Sequence, residues 1–338
     1  MRIVFYINTV TSYQDNFYHE LSKKIDIKVI VLSKKYKNYQ FKINRKFYQF
    51  LDKIEFPQKK IHQIISKFNP QFIIFGGYRL KYNSYINKII KEKNIKFYYW
   101  LERLDTSKKI KTALIKIFFK KILPKADGIM AIGKEAEKFY KSFNHNVINL
   151  PYSIKFENII RDSKIKKKKV KFLFVGQLIK RKGINIILQL FNLKKYSNCE
   201  MIIVGDGEYK NEVLKLCKKN KHVKYFNFQN KNELKKIYLS SDILIFLSKF
   251  DGWGVVALEA MNYGLLIIST NNAGVAEIIP KKNMIIDPKI NKLEKKIDFI
   301  LKNNQIIRHI GKLNKQSLKF SLCNSDNSIK KFLNYIDK

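Results

Sequence analysis

Continuous apolar runs of about four to six residues alternate along this chain with stretches of amphipathic, helical spacing. That is the pattern of strands buried on both faces with helices laid over them. In the first half, Arg2 to Ile7, Ile27 to Leu32, Phe72 to Phe75, Lys96 to Trp100, Gly128 to Ile132 and Val147 to Leu150 read as strands. Helical spacing appears at Phe17 and Leu21, from Ile61 to Phe68, from Leu80 to Lys91, and from Lys134 onward. Between Pro151 and Val170 the alternation stops. Residues 164–171 read KIKKKKVK, a charge run that no core accepts, so this stretch reads as a linker. The alternation then restarts. Lys171 to Val175, Met201 to Val204, Val223 to Phe226, Ile243 to Leu247 and Leu265 to Ser269 are strands, with helices from Gly183, near Glu212 and from Asn232. A short helix follows from Gly274 to Ile279, and helices fill most of the remainder.

Strands separated by helices imply parallel sheets covered on both faces. The expected fold class is α/β, with two doubly wound, Rossmann-like domains facing across a cleft. The boundaries expected are 1–155 for the first domain, 156–170 for a basic linker and 171–320 for the second domain, with a C-terminal helix at 321–338 that packs back on the first. Open parallel sheets bind ligands at the carboxyl ends of their strands.

Composition narrows the class. A chain of 338 residues with 46% hydrophobic positions sustains two cores and excludes disorder. Its three cysteines have neither metal nor disulfide spacing, and Cys199 and Cys217 read as packed thiols in a reducing compartment. The opening run MRIVFYINTV begins a strand and is too short for a secretory signal. No apolar stretch approaches the roughly 18 residues of a membrane span. The expected location is cytoplasmic, or peripheral on the inner face of the cell membrane. A formal charge of +41 fits an anionic partner, either nucleic acid or a membrane leaflet. Coding bias toward lysine, asparagine and isoleucine also contributes, because the lysines are spread along the chain.

The candidate chemistry centres on residues 248–264, SKFDGWGVVALEAMNYG. Here a buried strand passes through a turn with two glycines into a helix whose first N–H groups stand free for an anion. Asp251 lies on the turn and Glu259 two turns into the helix, placed to hold hydroxyls. Upstream, Gly176 ends a strand, and Arg181-Lys182-Gly183 opens a helix, giving a diphosphate cradle of backbone N–H groups and an ammonium. The alternative to that cradle is a tight turn with solvated lysines. Gly205 sits in a similar turn after the next strand.

Taken together, VGQLIKRKG, VGDGE, the run from Asp251 through Glu259, and Ser269-Thr270 with Gly274 and Glu277 resemble the C-terminal domain of retaining glycosyltransferase family 4, of the bacterial surface-polysaccharide type. The resemblance implies the GT-B architecture and metal-free sugar transfer from a nucleotide donor. It implies that Asp251 lies at the sugar, one methylene shorter than the commoner glutamate, and that Glu259 holds the ribose. Lys182 matches one member of a basic pair against the diphosphate; Gln177 stands where arginine is usual, and neighbouring Arg181 compensates. Gly252, Gly254 and Val255 complete the donor loop. Trp253 either stacks near the donor or plugs the helix against the sheet.

The first half resembles the family less, and its first loop lacks glycine. Tyr13 and Gln14 there, with Gly77 and Tyr78 after the third strand, are acceptor-side candidates. Glu102 ends the fourth strand, as a catalytic acid orienting an acceptor hydroxyl or as the partner of Arg103 or Arg79. Residues 108–125 form a basic amphipathic segment in which Ile110, Leu114, Ile117 and Phe118 share a face. That face either meets an anionic membrane or covers the sheet.

The function expected is transfer of a hexose-type sugar, from UDP in preference to GDP, onto a lipid-linked oligosaccharide, lipopolysaccharide or capsule acceptor. The partners expected are that donor, that glycan or lipid-linked acceptor and an anionic membrane surface, with no specific nucleic acid and no cofactor. The alternatives are a sugar-nucleotide epimerase of the same fold and, more remotely, a basic nucleic-acid-binding protein.

Overall fold

The computed structural model describes residues 1–33, 45–107, 109–159, 169–281 and 284–337. These form two units, one from the residues up to Ser153 together with those from Ser328 on, the other from Ile154 to Asn327.

The first unit is built on β1 (Arg2–Ile7), β2 (Asp26–Val31), β3 (Tyr48–Phe50), β4 (Phe72–Phe75), β5 (Lys96–Glu102), β6 (Gly128–Ile132) and β7 (Val147–Asn149). They lie in the order β3-β2-β1-β4-β5-β6-β7, every pair parallel. The helices between them are α1 (Ser12–Ser22), α2 (Pro57–Phe68), α3 (Asn83–Lys93), α4 (Lys109–Ile122) and α5 (Lys134–Tyr140). Strand β1 is buried at five successive positions from Ile3 to Ile7, as the continuous apolar run requires of a strand covered on both faces. The edge strand β3 was not expected. Only three residues long, it is too short for alternation to register, and its place is fixed by pairing Val29 with Tyr48.

The second unit holds β8 (Val170–Val175), β9 (Cys199–Val204), β10 (Val223–Phe226), β11 (Ile243–Ile245) and β12 (Leu266–Ile268), all parallel in the order β10-β9-β8-β11-β12. Its helices are α6 (Ile184–Phe191), α7 (Lys210–Lys219), α8 (Lys231–Ser240), α9 (Val255–Asn262), α10 (Ile290–Lys302) and α11 (Ile306–Phe320). The segment expected as a helix from Gly274 is a single 3-10 turn, Gly274–Glu277. Strand β11 stops two residues before Leu247, where the chain bends so that Lys249 N–H reaches the Arg181 carbonyl at 2.8 Å.

Two details bear on function. Residues leading out of Ser153 are fastened to the second unit. Ile154 bridges Asn324, and the Glu157 N–H donates to Asn262 Oδ1 at 2.9 Å. Of the basic linker expected at 156–170, residues 160–168 lie outside the described residues. The last helix, α12 (Ser325–Ile336), sets the Phe332 ring 6.0 Å from Phe5 and 5.7 Å from Phe17 within the first unit.

Helix α4 requires a correction. The face that covers the first sheet consists of Ile115 and Phe119, 4% and 0% exposed. Ile110, Leu114 and Ile117, grouped with Phe118 by their spacing, are 83%, 61% and 67% exposed. Both faces are apolar, so periodicity alone gave no means of choosing the inward one.

Candidate active site

In the second unit the strand order reverses between β8 and β11, the switch point at which a doubly wound sheet opens a crevice beyond its carboxyl ends. The loops leaving these two strands are stitched together. A 3-10 turn, Lys180–Lys182, ends at Gly183 with φ +80°, and a Cβ there would stand 2.7 Å from the Leu247 carbonyl oxygen. Only glycine permits that approach, which brings the two loops side by side. Arg181 then donates to the Phe250 carbonyl at 2.6 Å. The Lys182 ammonium pairs with the Asp251 carboxylate, both side chains mostly buried, and lies 5.8 Å from the centre of the Phe246 ring. Asp251 is further fixed by its backbone, whose N–H donates to the Asn272 carbonyl at 3.0 Å and whose carbonyl accepts from Gly274 N–H at 3.2 Å.

Gly252-Trp253-Gly254 carries the chain into α9. Gly254 adopts φ +102° and its Cα faces the Phe246 ring, where a Cβ would come within 2.8 Å. Among the described residues no side chain caps α9, so none of them gives the N–H groups of its first turn, from Val255 on, a side-chain acceptor. Trp253 is 2% exposed, and its carbonyl accepts from Val275 N–H at 2.7 Å. Its indole is a packing element that seats this turn on the neighbouring 3-10 segment.

One turn further along α9, Glu259 is half-buried and its Oε2 accepts a hydrogen bond of 2.8 Å from the Tyr238 hydroxyl. Burial pushes the Glu259 carboxyl above its usual range; the Tyr238 hydrogen bond and the Lys231 charge oppose this. Burial, and then the neighbouring Glu259 charge, hold the Tyr238 hydroxyl well above the usual phenol range, so it acts as a donor throughout. Tyr238 is 1% exposed on α8, with its ring stacked 5.4 Å from Tyr263. Sequence reasoning missed it, since one tyrosine on a helix carries no signal of what it touches.

The remaining second-unit candidates divide by role. Gly205 adopts φ +142°, and a Cβ there would fall 1.9 Å from the Gly176 carbonyl oxygen, so the two strand ends press backbone on backbone. Above Gly176 the nearest atom to an added Cβ is 4.0 Å away, which leaves that backbone open. Gln177 is exposed between Gly176 and the buried Leu178.

In the first unit the order reverses between β1 and β4, and the loops after these strands adjoin: Gly76 N–H donates to the Tyr6 carbonyl at 2.9 Å. Gln14 Oε1 accepts from the Thr11 N–H at 3.0 Å and the Thr11 hydroxyl at 2.9 Å, closing a capping box on α1. The Tyr13 ring lies 4.8 Å from Tyr152, and the Tyr152 hydroxyl is hydrogen-bonded to Glu102. Burial first, and Glu102 second, push that hydroxyl well up. Tyr152 therefore joins two candidates that the sequence placed 89 residues apart (102 minus 13). Tyr78 turns away toward α4, its ring edge-on to Phe119 at 4.8 Å, beside Gly77 with φ +151°.

The chain is similar to known proteins in sequence over its second half and in fold throughout. Residues 155–317 match the family model described as Glycosyl transferases group 1. An uncharacterised 41.2 kDa protein from a cps region of Klebsiella pneumoniae is 29% identical over 40% of this chain and 37% of its own. An amylovoran biosynthesis glycosyltransferase of Erwinia amylovora is 30% identical over 43% of this chain and 41% of its own. The chain thus spans well under half the length of these curated relatives. Among solved structures, Anabaena HepE in complex with UDP superposes with a TM-score of 0.77 at 12% identity, over all of both chains. The lipopolysaccharide outer core galactosyltransferase WaaB, in its apo form, gives 0.69 at 17%, over 100% of this chain and 99% of its own. The fold is that of the GT-B glycosyltransferases, and residues 155–317 are the part of the chain that matches the group 1 model.

Proposed function

We propose that this chain is a retaining glycosyltransferase of family 4. It moves a hexose-type sugar from a nucleoside-diphosphate donor, UDP in preference to GDP, to a surface-glycan acceptor such as a lipid-linked oligosaccharide, lipopolysaccharide or capsule. The observation that carries this reading is the meeting of Lys182 and Asp251 beside the uncapped start of α9, with Glu259 held on the same helix. A cation and free N–H groups suit a diphosphate, and the two acids suit hydroxyls. The UDP complex of HepE and the polysaccharide roles in the relatives' names lend support.

In this reading the diphosphate lies against the starts of α6 and α9, over the open backbone at Gly176, with Lys182 and Arg181 alongside. Glu259 accepts hydrogen bonds from the ribose hydroxyls, and the Tyr238 hydroxyl keeps its carboxylate oriented. Asp251 orients the sugar hydroxyls. As the bond from the anomeric carbon to phosphate oxygen breaks, negative charge grows on the diphosphate, where Lys182 and the helix starts stabilise it. The acceptor hydroxyl approaches from the face the phosphate leaves, gives its proton to the departing phosphate oxygen, and forms the new glycosidic bond. No metal ion takes part. Glu102 and Tyr13, joined through Tyr152, and Gln14, Gly77 and Tyr78 lie on the acceptor side.

The test is a panel of UDP- and GDP-sugars screened for thermal stabilisation, followed by proton NMR of the product formed with the stabilising donor. Stabilisation by one donor and an anomeric configuration matching it support the reading. An inverted anomer overturns retention, epimerised donor without transfer overturns the activity, and an unimpaired Glu259→Ala variant overturns the site.

A further inference from the structure

Helix α4 carries an apolar stripe that its own fold leaves bare. Ile110, Leu114 and Ile117 recur at the first, fifth and eighth positions of one helical face, on the side opposite the buried Ile115 and Phe119. Each is more than 60% exposed, and together they run about 10 Å along the helix axis. Large apolar side chains this exposed are unremarkable singly; three in register on one helix mark a contact surface.

The charges around the stripe say what it meets. Lys116, Lys120 and Lys121 are exposed on α4 itself. Exposed Arg79 lies beside them, its guanidinium 5.3 Å from the centre of the Phe118 ring. A protein partner would present a shaped apolar socket, and three aliphatic side chains ringed by cations are narrow for one. A leaflet of anionic lipid offers both requirements at once, an acyl boundary for the stripe and phosphates for the cations. The net charge of +41 favours the same surface.

We propose that α4 docks the protein flat on an anionic phospholipid membrane, with Ile110, Leu114 and Ile117 in the acyl boundary and Lys116, Lys120 and Lys121 at the headgroups. Phe118, next to Ile117, brings α4 against the loop after β4, its ring 6.3 Å from that of Tyr78. Docking there sets the carboxyl edge of the first sheet close to the lipid surface, where a lipid-linked acceptor would be met. This last consequence rests on the proposed activity; the docking does not.

The experiment is flotation of the full chain with vesicles of phosphatidylcholine alone or mixed equally with phosphatidylglycerol. It is run on the wild type, on an Ile110→Ser/Leu114→Ser/Ile117→Ser variant of unchanged charge, and on a Lys120→Gln/Lys121→Gln variant. All five positions are exposed, and circular dichroism verifies that the variants fold. The expected result is wild-type flotation only with the anionic vesicles, reduced about tenfold in the serine variant and also reduced in the glutamine variant. Equal flotation of the serine variant would overturn the proposal, since charge alone would then explain binding. So would a stripe-dependent dimer of the wild type in sedimentation velocity without lipid, or stripe-dependent binding of RNA. Because no donor is present, failure here leaves the proposed transfer reaction standing, and an inactive enzyme that still floats leaves the docking standing.

Discussion

The Lys182 ammonium closes on the Asp251 carboxylate across 69 residues of chain, joining the loop after β8 to the loop after β11. The pair sits mostly buried at the point where the second sheet reverses its strand order. Each half was assigned its own task from sequence, cation to phosphate and acid to sugar. In the proposed reaction their contact couples the two tasks, because a donor diphosphate would compete with Asp251 for the same ammonium.

That coupling separates two variants. Lys182→Ala removes the charge facing the leaving group and is expected to lower turnover by about 10²–10³. Asp251→Asn frees the ammonium, so donor KM is expected to hold or fall while turnover drops by about tenfold or more. Initial rates over a donor titration distinguish the two. A double variant whose losses simply add would refute the coupling.

Glu259→Gln is expected to act oppositely on binding and on stability. Donor affinity should fall about 10- to 100-fold as charge-assisted hydrogen bonds to the ribose are lost. The folded-state pKa of Glu259 is raised, chiefly by burial, so its net effect favours folding below the unfolded carboxylate pKa and is lost as pH rises through the folded value. The Gln variant should therefore melt at a higher temperature than the wild type near pH 8, with the gap closing toward pH 4. Melting curves across that range check the sign.

Tyr238→Phe strips the donor from Glu259 Oε2. The expected loss of stability is about 1–3 kcal/mol, from leaving a buried acceptor unpaired. The Tyr238 hydrogen bond lowers the Glu259 pKa, so its removal should move the acidic limb of donor binding to higher pH. Glu259→Gln should abolish that limb. Calorimetric titration of the donor between pH 5 and 8 follows both.

Gly205→Ala sets a methyl against the Gly176 carbonyl oxygen and forces alanine into a left-handed backbone. Overpacking and backbone strain together are expected to cost about 2–4 kcal/mol, read from the shift of a urea midpoint. An unchanged midpoint would mean that the two strand ends do not meet.

How much was legible follows from the length scale of each feature. The five strands of the second unit and the apolar turn-helix around Glu259 announce themselves through runs and glycines within about ten residues, and the structure has those elements with shifts of one or two residues at their ends. The three-residue strand β3 is too short to alternate, and α4 is apolar on two sides. Local pattern therefore gave no strand for the first and no inward face for the second.

The sequence by itself determined the alternation that makes two parallel sheets, the glycines at strand ends and the acids eight positions apart on one turn and helix. All of these are set by backbone conformation and burial along a continuous segment. Only the tertiary structure decided that Lys182 faces Asp251, that Tyr238 orients Glu259, that Tyr152 links Tyr13 to Glu102 and that Ile110, Leu114 and Ile117 stay in the open. Each of these depends on which distant strands become neighbours, and a strand run encodes its own burial but not the identity of the strand beside it.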